Sequence, residues 1–219
     1  MKVLDLFCCG GGAGKGYADA GYEVTGVDIE PQPNYPFLFF QGDALEYLAE
    51  HGHEYDLIHA SPPCQDHCAL TKGNRKRDGW QDAHADLIPA TRALLDASGK
   101  PYVIENVQGS GIRRDLTLCG EMFGLGVIRH RYFELGKCSV PQPAHKPHRG
   151  RVAGMRHGKW YTGPYFAVYG QGGGKGSVAE WQQAMGIDWL STRHELAQAI
   201  PPAYTHYIGT QMIKHLSQQ

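Results

Sequence analysis

The sequence has no apolar run long enough to cross a membrane. A transmembrane helix needs roughly 18 or more consecutive apolar residues, and the apolar runs of this chain are much shorter. Met1 and Lys2 lead directly into one of these runs, so we expect no leader segment either. A length of 219 residues suits one domain with a small appendage, and we expect no membrane partner.

Cysteine is sparse, and its usual pairings are missing. There are six cysteines, two of them adjacent at positions 8 and 9, and none forms a Cys-x-x-Cys pair. This excludes a small disulfide scaffold and favours a reduced, cytoplasmic protein. Cys138, His145 and His148 lie near one another in the sequence, but three ligand types without a clear fourth do not make a standard zinc site. We therefore predict no metal site.

Acidic residues are absent from residues 135–179, a span that holds seven Lys and Arg. Residues 1–134 carry 12 Lys and Arg against 19 Asp and Glu, whereas residues 135–219 carry 9 against 3. Aromatic side chains and a glycine loop at 170–176 interleave with the cations. This pattern is typical of contact with nucleic acid, although a solvated loop of mixed polarity has the same composition.

Two common phosphate-binding patterns are missing from the glycine-rich start of the chain. Cys9 occupies an early glycine slot of the G-x-G-x-x-G pattern, and no Gly-Lys-Ser/Thr closes a P-loop. The glycines at 10–14 nevertheless follow a predicted strand at 3–7, and a second predicted strand at 23–27 ends in Asp28. A carboxylate in that position accepts ribose hydroxyl protons. The pattern favours an adenosine ligand without phosphates, such as S-adenosylmethionine, over a plain tight turn.

Two reactive residues each follow a predicted strand. Cys64 comes after a strand at 55–60 and the double proline Pro62-Pro63, and Glu105 comes after a strand at 101–104. Further predicted elements are a strand at 38–41, helices at 15–20, 44–50 and 83–98, and a strand at 129–134. This alternation indicates an α/β fold, in which strand ends meet at one rim and bring Cys64 and Glu105 together. The alternatives are a small buried cysteine and a capping carboxylate.

The carboxyl-terminal part is expected to be helical. A short helix is predicted at 115–123, and Thr192 with Glu195 forms a capping box that opens a helix through residue 199. Pro201 and Pro202 start a last helix that runs to about residue 216. Arg129 and Arg131 share one face of the strand at 129–134, which is also a pattern of an edge strand protected by charge.

Five segments, taken in order, resemble the motifs of DNA cytosine-5 methyltransferases. They are residues 5–12 (DLFCCGGG), 61–65 (SPPCQ), 105–107 (ENV), 129–131 (RHR) and 199–209 (AIPPAYTHYIG). The match spans nearly the whole chain, and the small size is similar to that of compact phage-encoded members. Two positions depart from the family pattern: Cys9 replaces a glycine, and Asp66-His67-Cys68 replaces the usual Phe-Ser that follows the catalytic cysteine.

The resemblance implies the fold of S-adenosylmethionine-dependent methyltransferases. This is a Rossmann-like α/β fold, with a mostly parallel sheet, helices on both faces and a small irregular target-recognition region. Residues 1–135 would form the catalytic and donor-binding domain, residues 136–178 the target-recognition region, and residues 179–219 helices that complete the catalytic domain. The expected partner is double-stranded DNA, and the expected protein is a monomer in a bacterial cytoplasm with a place in restriction and modification.

The resemblance also implies roles for single residues. Cys64 would be the nucleophile, Glu105 would bond the target base, and Arg129 and Arg131 would anchor it. In the donor site, Phe7 would stack on adenine, Asp28 would hold the ribose, and Asp43 would accept the adenine amino group unless it serves only as a helix cap. The full predicted donor site is Phe7, Cys8, Gly10, Gly11, Gly12, Asp28, Ile29, Asp43, Ala44 and Pro62.

Two other functions are compatible with these motifs. One is a catalytically silent DNA-binding protein on the same fold, although the presence of Cys64, Glu105 and both arginines argues against it. The other is a related transferase that uses RNA as the acceptor or a modified sulfonium as the donor.

Overall fold

The computed structural model describes residues 1–63, 86–148, 150–170 and 175–216. Its main element is a seven-stranded sheet with the order β3-β2-β1-β4-β5-β7-β6. Strands β1 to β5 run parallel, and β7 is antiparallel to both β5 and β6. The strands are β1 (Lys2–Leu6), β2 (Glu23–Asp28), β3 (Leu38–Gln41), β4 (Leu57–Ala60), β5 (Tyr102–Asn106), β6 (Leu116–Leu118) and β7 (Arg131–Gly136).

Helices cover both faces of this sheet, because successive residues of each buried strand point to opposite sides. Val3, Leu57 and Val103 belong to one buried cluster, which includes side chains of the first and last helices. Leu4, Ile58 and Ile104 belong to a second cluster, which includes side chains of the second and third helices. The helices are α1 (Gly12–Asp19), α2 (Ala44–His51), α3 (Ile88–Ser98), α4 (Val178–Met185), α5 (Arg193–Gln198) and α6 (Pro202–Leu216).

The order in which the chain adds strands to the sheet reverses between β1 and β4. From β1 the chain proceeds to β2 and β3 on one side, and it then crosses to β4 and β5 on the other. In an open α/β sheet, the crevice outside the strand ends at such a switch point is where ligands bind. The predicted α/β fold is therefore confirmed, and the fold itself indicates where a site is to be expected.

The carboxyl-terminal helix is part of the same body, since α6 packs against α1. The Thr205 hydroxyl donates to the Ala13 carbonyl at 2.8 Å. A Cβ atom at Gly16 would lie only 2.0 Å from the Pro202 carbonyl oxygen, so this close helix contact requires glycine at position 16. The capping box predicted at Thr192 and Glu195 is present at the start of α5.

The basic segment, as we call residues 135–179, contains a small sheet of its own, with the order β10-β8-β9. Its strands are β8 (Val152–Arg156), β9 (Lys159–Tyr161) and β10 (Tyr165–Phe166). His157 and Gly158 join β8 to β9 with φ values of 50° and 76°. Positive φ at both central residues is typical of a tight two-residue hairpin turn. The region predicted to be irregular therefore includes a regular hairpin.

Several predicted elements differ from the structure. The strand predicted at 129–134 is Arg131–Gly136, so Arg129 lies before it and does not share its face with Arg131, and the helix predicted at 83–98 begins at Ile88 within the described residues. Residues 115–123 form strand β6 and a 3₁₀ turn (Gly120–Phe123) instead of a helix, because Leu116 and Leu118 are buried on alternate positions and pair with β7. Helix α1 begins at Gly12 and not at Lys15. Within the described residues, no helix is both long and apolar enough to span a membrane.

Candidate functional site

A strained loop leaves the carboxyl end of β1 at the switch point. Phe7 and Cys9 have φ values of 56° and 44°, in the left-handed region that side chains other than glycine rarely adopt. Each such residue costs about 1–3 kcal/mol and persists only where the surrounding structure holds it in place. Here the Cys8 amide donates to the Val27 carbonyl at 3.2 Å, and the Cys9 amide donates to Asp28 at 2.9 Å.

Asp28 holds this loop with its carboxylate. Oδ2 accepts the Cys9 amide, and Oδ1 accepts the Glu30 amide at 3.0 Å. The Cys9 thiol also hydrogen-bonds this carboxylate. A carboxylate offers about four acceptor positions, so these three bonds leave capacity for another donor such as a ribose hydroxyl. The sequence predicted only the ligand role, and the structure adds a loop-holding role.

Each glycine of the loop is required for a different physical reason. Gly11 has a φ of 82° and needs its conformational freedom. A Cβ atom at Gly10 would lie 2.7 Å from the Leu190 side chain, and one at Gly12 would lie 2.3 Å from the Ile200 carbonyl oxygen. Gly10 and Gly12 thus let the carboxyl-terminal segment close over the loop. Their predicted contact with a ligand stays a prediction.

The other predicted donor residues surround this loop, with differing roles. Asp43 caps α2, since its Oδ1 accepts the Leu45 amide at 2.7 Å and the Glu46 amide at 3.1 Å; this is the alternative role considered from the sequence. Ala44 is buried at the start of α2. Ile29 follows Asp28 and is 65 % exposed, which leaves a large apolar surface beside the site.

Two bonds fix the start of the loop that leads to Cys64. The Asn106 amide group at the end of β5 donates to the Pro62 carbonyl at 3.0 Å, and the Ser61 amide donates to the Leu6 carbonyl at 3.1 Å. The Pro62 carbonyl is therefore held by Asn106, on the side of the site where Cys64 and Glu105 are expected to act. Cys64 itself lies outside the described residues, so its predicted role stays a prediction.

Glu105 lies at the end of β5 as a buried carboxyl group paired with an arginine. It is 7 % exposed, and Oε1 lies 2.8 Å from Nε of Arg131. Burial raises the pKa of Glu105 above its usual value, while Arg131 and Arg129 act in the opposite direction. A protonated carboxyl group can donate a hydrogen bond to an acceptor, which a carboxylate cannot do.

A row of hydrogen bonds that the sequence did not predict reaches Glu105 from the protein interior. The Tyr17 hydroxyl is 3.1 Å from Nδ1 of His59, and Nε2 of His59 is 3.0 Å from the Ser61 hydroxyl. Ser61 in turn hydrogen-bonds Glu105 and lowers the pKa of that carboxyl group. Burial lowers the pKa of His59 to about 3, so its ring is neutral.

One direction of donation satisfies this whole row. If Tyr17 donates to Nδ1 of His59, then Nε2 carries the ring proton and donates to the Ser61 oxygen. The Ser61 hydroxyl is then left to donate to Glu105. The sequence did not reveal these hydrogen bonds, because Tyr17 and His59 are 42 positions apart and each lies within a predicted helix or strand that showed no sign of a site.

Arg129 occupies a different position from the one predicted. The Arg129 guanidinium donates to the backbone carbonyls of Val168 and Ala197. The backbone carbonyl of Arg129 accepts the Tyr204 hydroxyl at 2.7 Å. Arg129 therefore ties β7 to the basic segment and to α5. Its charge still acts on Glu105, but the geometry fits a positioning residue better than a direct anchor for a base.

The loop at residues 7–12 and Glu105 lie within electrostatic reach of each other. The pKa of Cys9 is raised to about 12, first by burial and then by Asp28, Asp5 and Glu105. Asp5 is a second buried carboxyl group that the sequence did not single out. Burial raises its pKa to about 8, and the Tyr35 hydroxyl donates to it at 3.1 Å. The two halves of the predicted site are therefore adjacent.

Part of the sequence is similar to that of a curated methyltransferase. No family model matches the chain. Over 187 residues, it is 27% identical to the Type II methyltransferase M.AgeI of Thalassovita gelatinovora, a match that covers 66% of this chain and 42% of the relative. The chain therefore spans less than half the length of the curated relative that it matches.

Solved structures share the fold. The S. pombe Dnmt2 methyltransferase superposes with a TM-score of 0.64 at 15% identity, over 99% of each chain. The Entamoeba histolytica methyltransferase EhMeth superposes with a TM-score of 0.60 at 13% identity, over 99% of this chain and 98% of the other. At such low identity the likeness shows the fold alone, and it confirms the predicted Rossmann-like class.

Proposed function

From the resemblance to DNA cytosine-5 methyltransferases, which the curated relative and the shared fold support, we propose that this chain methylates carbon 5 of cytosine in DNA. S-adenosylmethionine is the methyl donor in this proposal. The observation that carries it is the buried Glu105–Arg131 pair at the end of β5, beside the loop that Asp28 holds.

The residues around the switch point suit an adenosine-type donor. Asp28 retains acceptor capacity for a ribose hydroxyl. Ile29, which is 65 % exposed, and the half-buried Phe7 offer apolar surfaces for the faces of an adenine ring. When bound, S-adenosylmethionine supplies an electrophilic methyl group on a sulfonium.

Glu105 suits recognition of cytosine at its ring nitrogen. N3 of neutral cytosine is an acceptor, so it needs a donor, and a protonated carboxyl group provides one. Burial favours that protonated form of Glu105. Arg131 at 2.8 Å fixes the orientation of the carboxyl group and compensates its charge if the proton moves to N3.

The proposed chemistry needs a nucleophile, because carbon 5 of cytosine is not reactive enough alone. The Cys64 thiolate adds to carbon 6, and the electron pair of the ring double bond then makes carbon 5 nucleophilic. Carbon 5 takes the methyl group as the methyl–sulfur bond breaks, and the donor leaves as a neutral thioether. A base then removes the proton from carbon 5, and the thiolate leaves as the double bond re-forms. The base must leave the duplex stack for this reaction, since the ring faces are hidden within it.

The hairpin of β8 and β9 is the proposed DNA contact in the basic segment. Arg156 and Lys159 face each other across the hairpin and are exposed. Met155 and Trp160 also form a pair and are 51 % and 41 % exposed. Cations suit phosphates, and exposed aromatic and apolar side chains suit bases. We assign residues 136–178 to target recognition on this ground.

The test is transfer of tritiated methyl groups to DNA, followed by bisulfite sequencing of the product. We expect Cys64→Ser to lose methylation, because a serine hydroxyl is far less ionised than a thiol near neutral pH. Cys138→Ser is the matched control, since the Cys138 thiol contacts the Tyr102 carbonyl, away from Glu105. Robust methylation by Cys64→Ser would remove Cys64 from the central role.

A covalent trap separates this reaction from simple DNA binding. DNA containing 5-fluorocytosine has no proton at carbon 5, so elimination stalls and the protein stays attached in denaturing electrophoresis. We expect this adduct with the native chain and with Cys138→Ser, but not with Cys64→Ser. An RNA of the same sequence, assayed in parallel, tests the alternative acceptor. Binding of DNA without adduct or methyl transfer would favour the catalytically silent alternative.

A further inference from the structure

Four ligand-type side chains meet between the main sheet and the basic segment. They are Cys119, His130, His145 and His148, and one potential ligand atom from each lies within 4.8 Å of all the others. Cys119 follows β6 and His130 precedes β7. Because Leu118 pairs with Arg131, Cys119 and His130 are neighbours across the end of that ladder. His145 and His148 come from the loop of the basic segment.

Two of the separations are close to the edges of a tetrahedral site. Nε2 of His148 lies 3.3 Å from Nε2 of His130 and 3.8 Å from the Cys119 sulfur. With zinc–nitrogen bonds near 2.05 Å and zinc–sulfur bonds near 2.3 Å, tetrahedral geometry gives about 3.3 Å between nitrogens and about 3.6 Å between nitrogen and sulfur. Small side-chain adjustments would therefore allow both distances to fit one ion.

A carboxylate behind His148 orients its ring. Nδ1 of His148 bonds Glu121, which also accepts the Tyr165 hydroxyl. A carboxylate only accepts, so Nδ1 carries the ring proton and Nε2 presents its lone pair to the cluster. Ligating histidines in metal sites usually have such a partner on the other nitrogen. A cavity of about 480 Å³, lined in part by Cys119 and His145, reaches the cluster and provides an entry path.

We propose that Cys119, His130, His145 and His148 bind one zinc ion that fastens the basic segment to the catalytic sheet. One thiolate with three imidazoles is a nitrogen and sulfur donor set, which suits zinc and not the oxygen-seeking Mg²⁺ or Ca²⁺. Four protein ligands leave no open position, so the ion is structural. His130 stands between Arg129 and Arg131, so the ion also steadies the strand end beside Glu105.

Sequence reasoning associated a different cysteine with these histidines. It grouped Cys138 with His145 and His148, whereas the Cys138 thiol donates to the Tyr102 carbonyl at 3.5 Å. Cys119 and His130 complete the set from strands that precede the basic segment, and no local spacing connects them to His145 and His148. A hydrogen bond between two of the rings would satisfy only that pair, whereas a metal ion satisfies all four ligands.

The first experiment measures the metal content of the untagged 219-residue chain by elemental mass spectrometry. We expect about one zinc ion per chain after dialysis, in keeping with a four-ligand site. His145→Ala should lose most of it, and because His145 is exposed this change leaves the core intact. Cys119→Ser is the second variant, with Cys138→Ser as the matched control that keeps the zinc. Equal zinc in all three variants, or none in the native chain, would overturn the proposal.

The second experiment replaces the ion with Co²⁺, whose spectrum reports its ligands. Tetrahedral coordination gives intense visible bands, and a thiolate ligand adds a charge-transfer band in the near ultraviolet. We expect both in the native chain and in Cys138→Ser, and we expect Cys119→Ser to lose the charge-transfer band. A six-coordinate spectrum without that band would contradict a closed site with a cysteine ligand.

The last arm tests the ligand partner and the fastening role. Glu121→Gln keeps the shape of the side chain but weakens its hold on Nδ1 of His148, and we expect roughly 10–100-fold weaker zinc affinity. Hydrogen exchange should become faster in residues 141–148 when zinc is removed by a chelator, while β1 and β4 remain protected. Unchanged exchange in that segment would show that the ion does not fasten it.

Discussion

Replacing Ser61 with alanine should move the alkaline limit of activity to higher pH. In the proposed reaction, Glu105 must be protonated to bond N3 of cytosine, so activity falls as pH rises through the pKa of Glu105. Ser61 donates to this carboxyl group and thereby lowers its pKa, which burial otherwise raises. Ser61→Ala removes the donor, so the carboxyl group keeps its proton to a higher pH.

The size of the effect follows from the bond that is lost. A hydrogen bond to a charged group contributes about 1.5–3 kcal/mol. Losing it removes that support from the ionised form of Glu105, so the limit should move to higher pH. No large reduction for solvent screening applies, because Glu105 is only 7 % exposed. The acid side of the profile should stay in place, since it depends on other groups.

The assay is the rate of methyl transfer at saturating donor and DNA, measured across pH for Ser61→Ala and the native chain. Ser98→Ala serves as the control, because the Ser98 hydroxyl bonds the Leu95 carbonyl at the end of α3, away from Glu105. A limit that coincides with that of the native chain, or one that moves to lower pH, would refute the assignment of Glu105 as the titrating group beside Ser61.

Three further predictions concern the donor loop, the hairpin and a buried acid. Asp28→Ala should weaken S-adenosylmethionine binding by about 1–3 kcal/mol, measured by calorimetry; it should also lower the melting temperature, since two backbone amides lose their acceptor. The double variant Arg156→Ala with Lys159→Ala should make the slope of log DNA affinity against log salt shallower by up to about 1.8; an unchanged slope would mean that the hairpin does not meet phosphates. Burial raises the pKa of Asp5 from 3.8 in the unfolded chain to about 8 in the folded chain. The free energy of unfolding should therefore fall as pH rises between these two values. Urea unfolding of Asp5→Asn should lack this fall.

Most of the parallel sheet could be predicted because each strand is an apolar run that ends at a turn residue. Residues 38–41 and Asp28 were placed correctly for this reason. The errors lie where pairing overrides local preference. Strand β6 has only three residues, and it is a strand because β7 pairs with it. The parallel pairing of β10 with β8 depends on a contact between separate segments, which no periodicity reveals.

The candidate site divides in the same way. Residues at strand ends, such as Asp28 and Glu105, could be predicted because ligands of an open α/β sheet bind outside the carboxyl ends of its strands. Partners that approach from other segments could not. The contact between Ser61 and Glu105 and the bonds of Arg129 to Val168 and Ala197 are of this kind. Such residues set orientation and proton affinity, which a linear motif does not encode.

Cys9 shows how a departure from a motif can have a physical explanation. The family pattern has glycine at this position, and the structure gives Cys9 a φ of 44°, where glycine would be unstrained. The strain is balanced by the bond from the Cys9 amide to Asp28. Burial raises the pKa of the Cys9 thiol and the nearby Asp28 raises it further, which keeps the thiol protonated and unreactive near neutral pH. Cys9 therefore keeps the backbone path of a glycine, and it adds no second nucleophile to the site that Cys64 is proposed to serve.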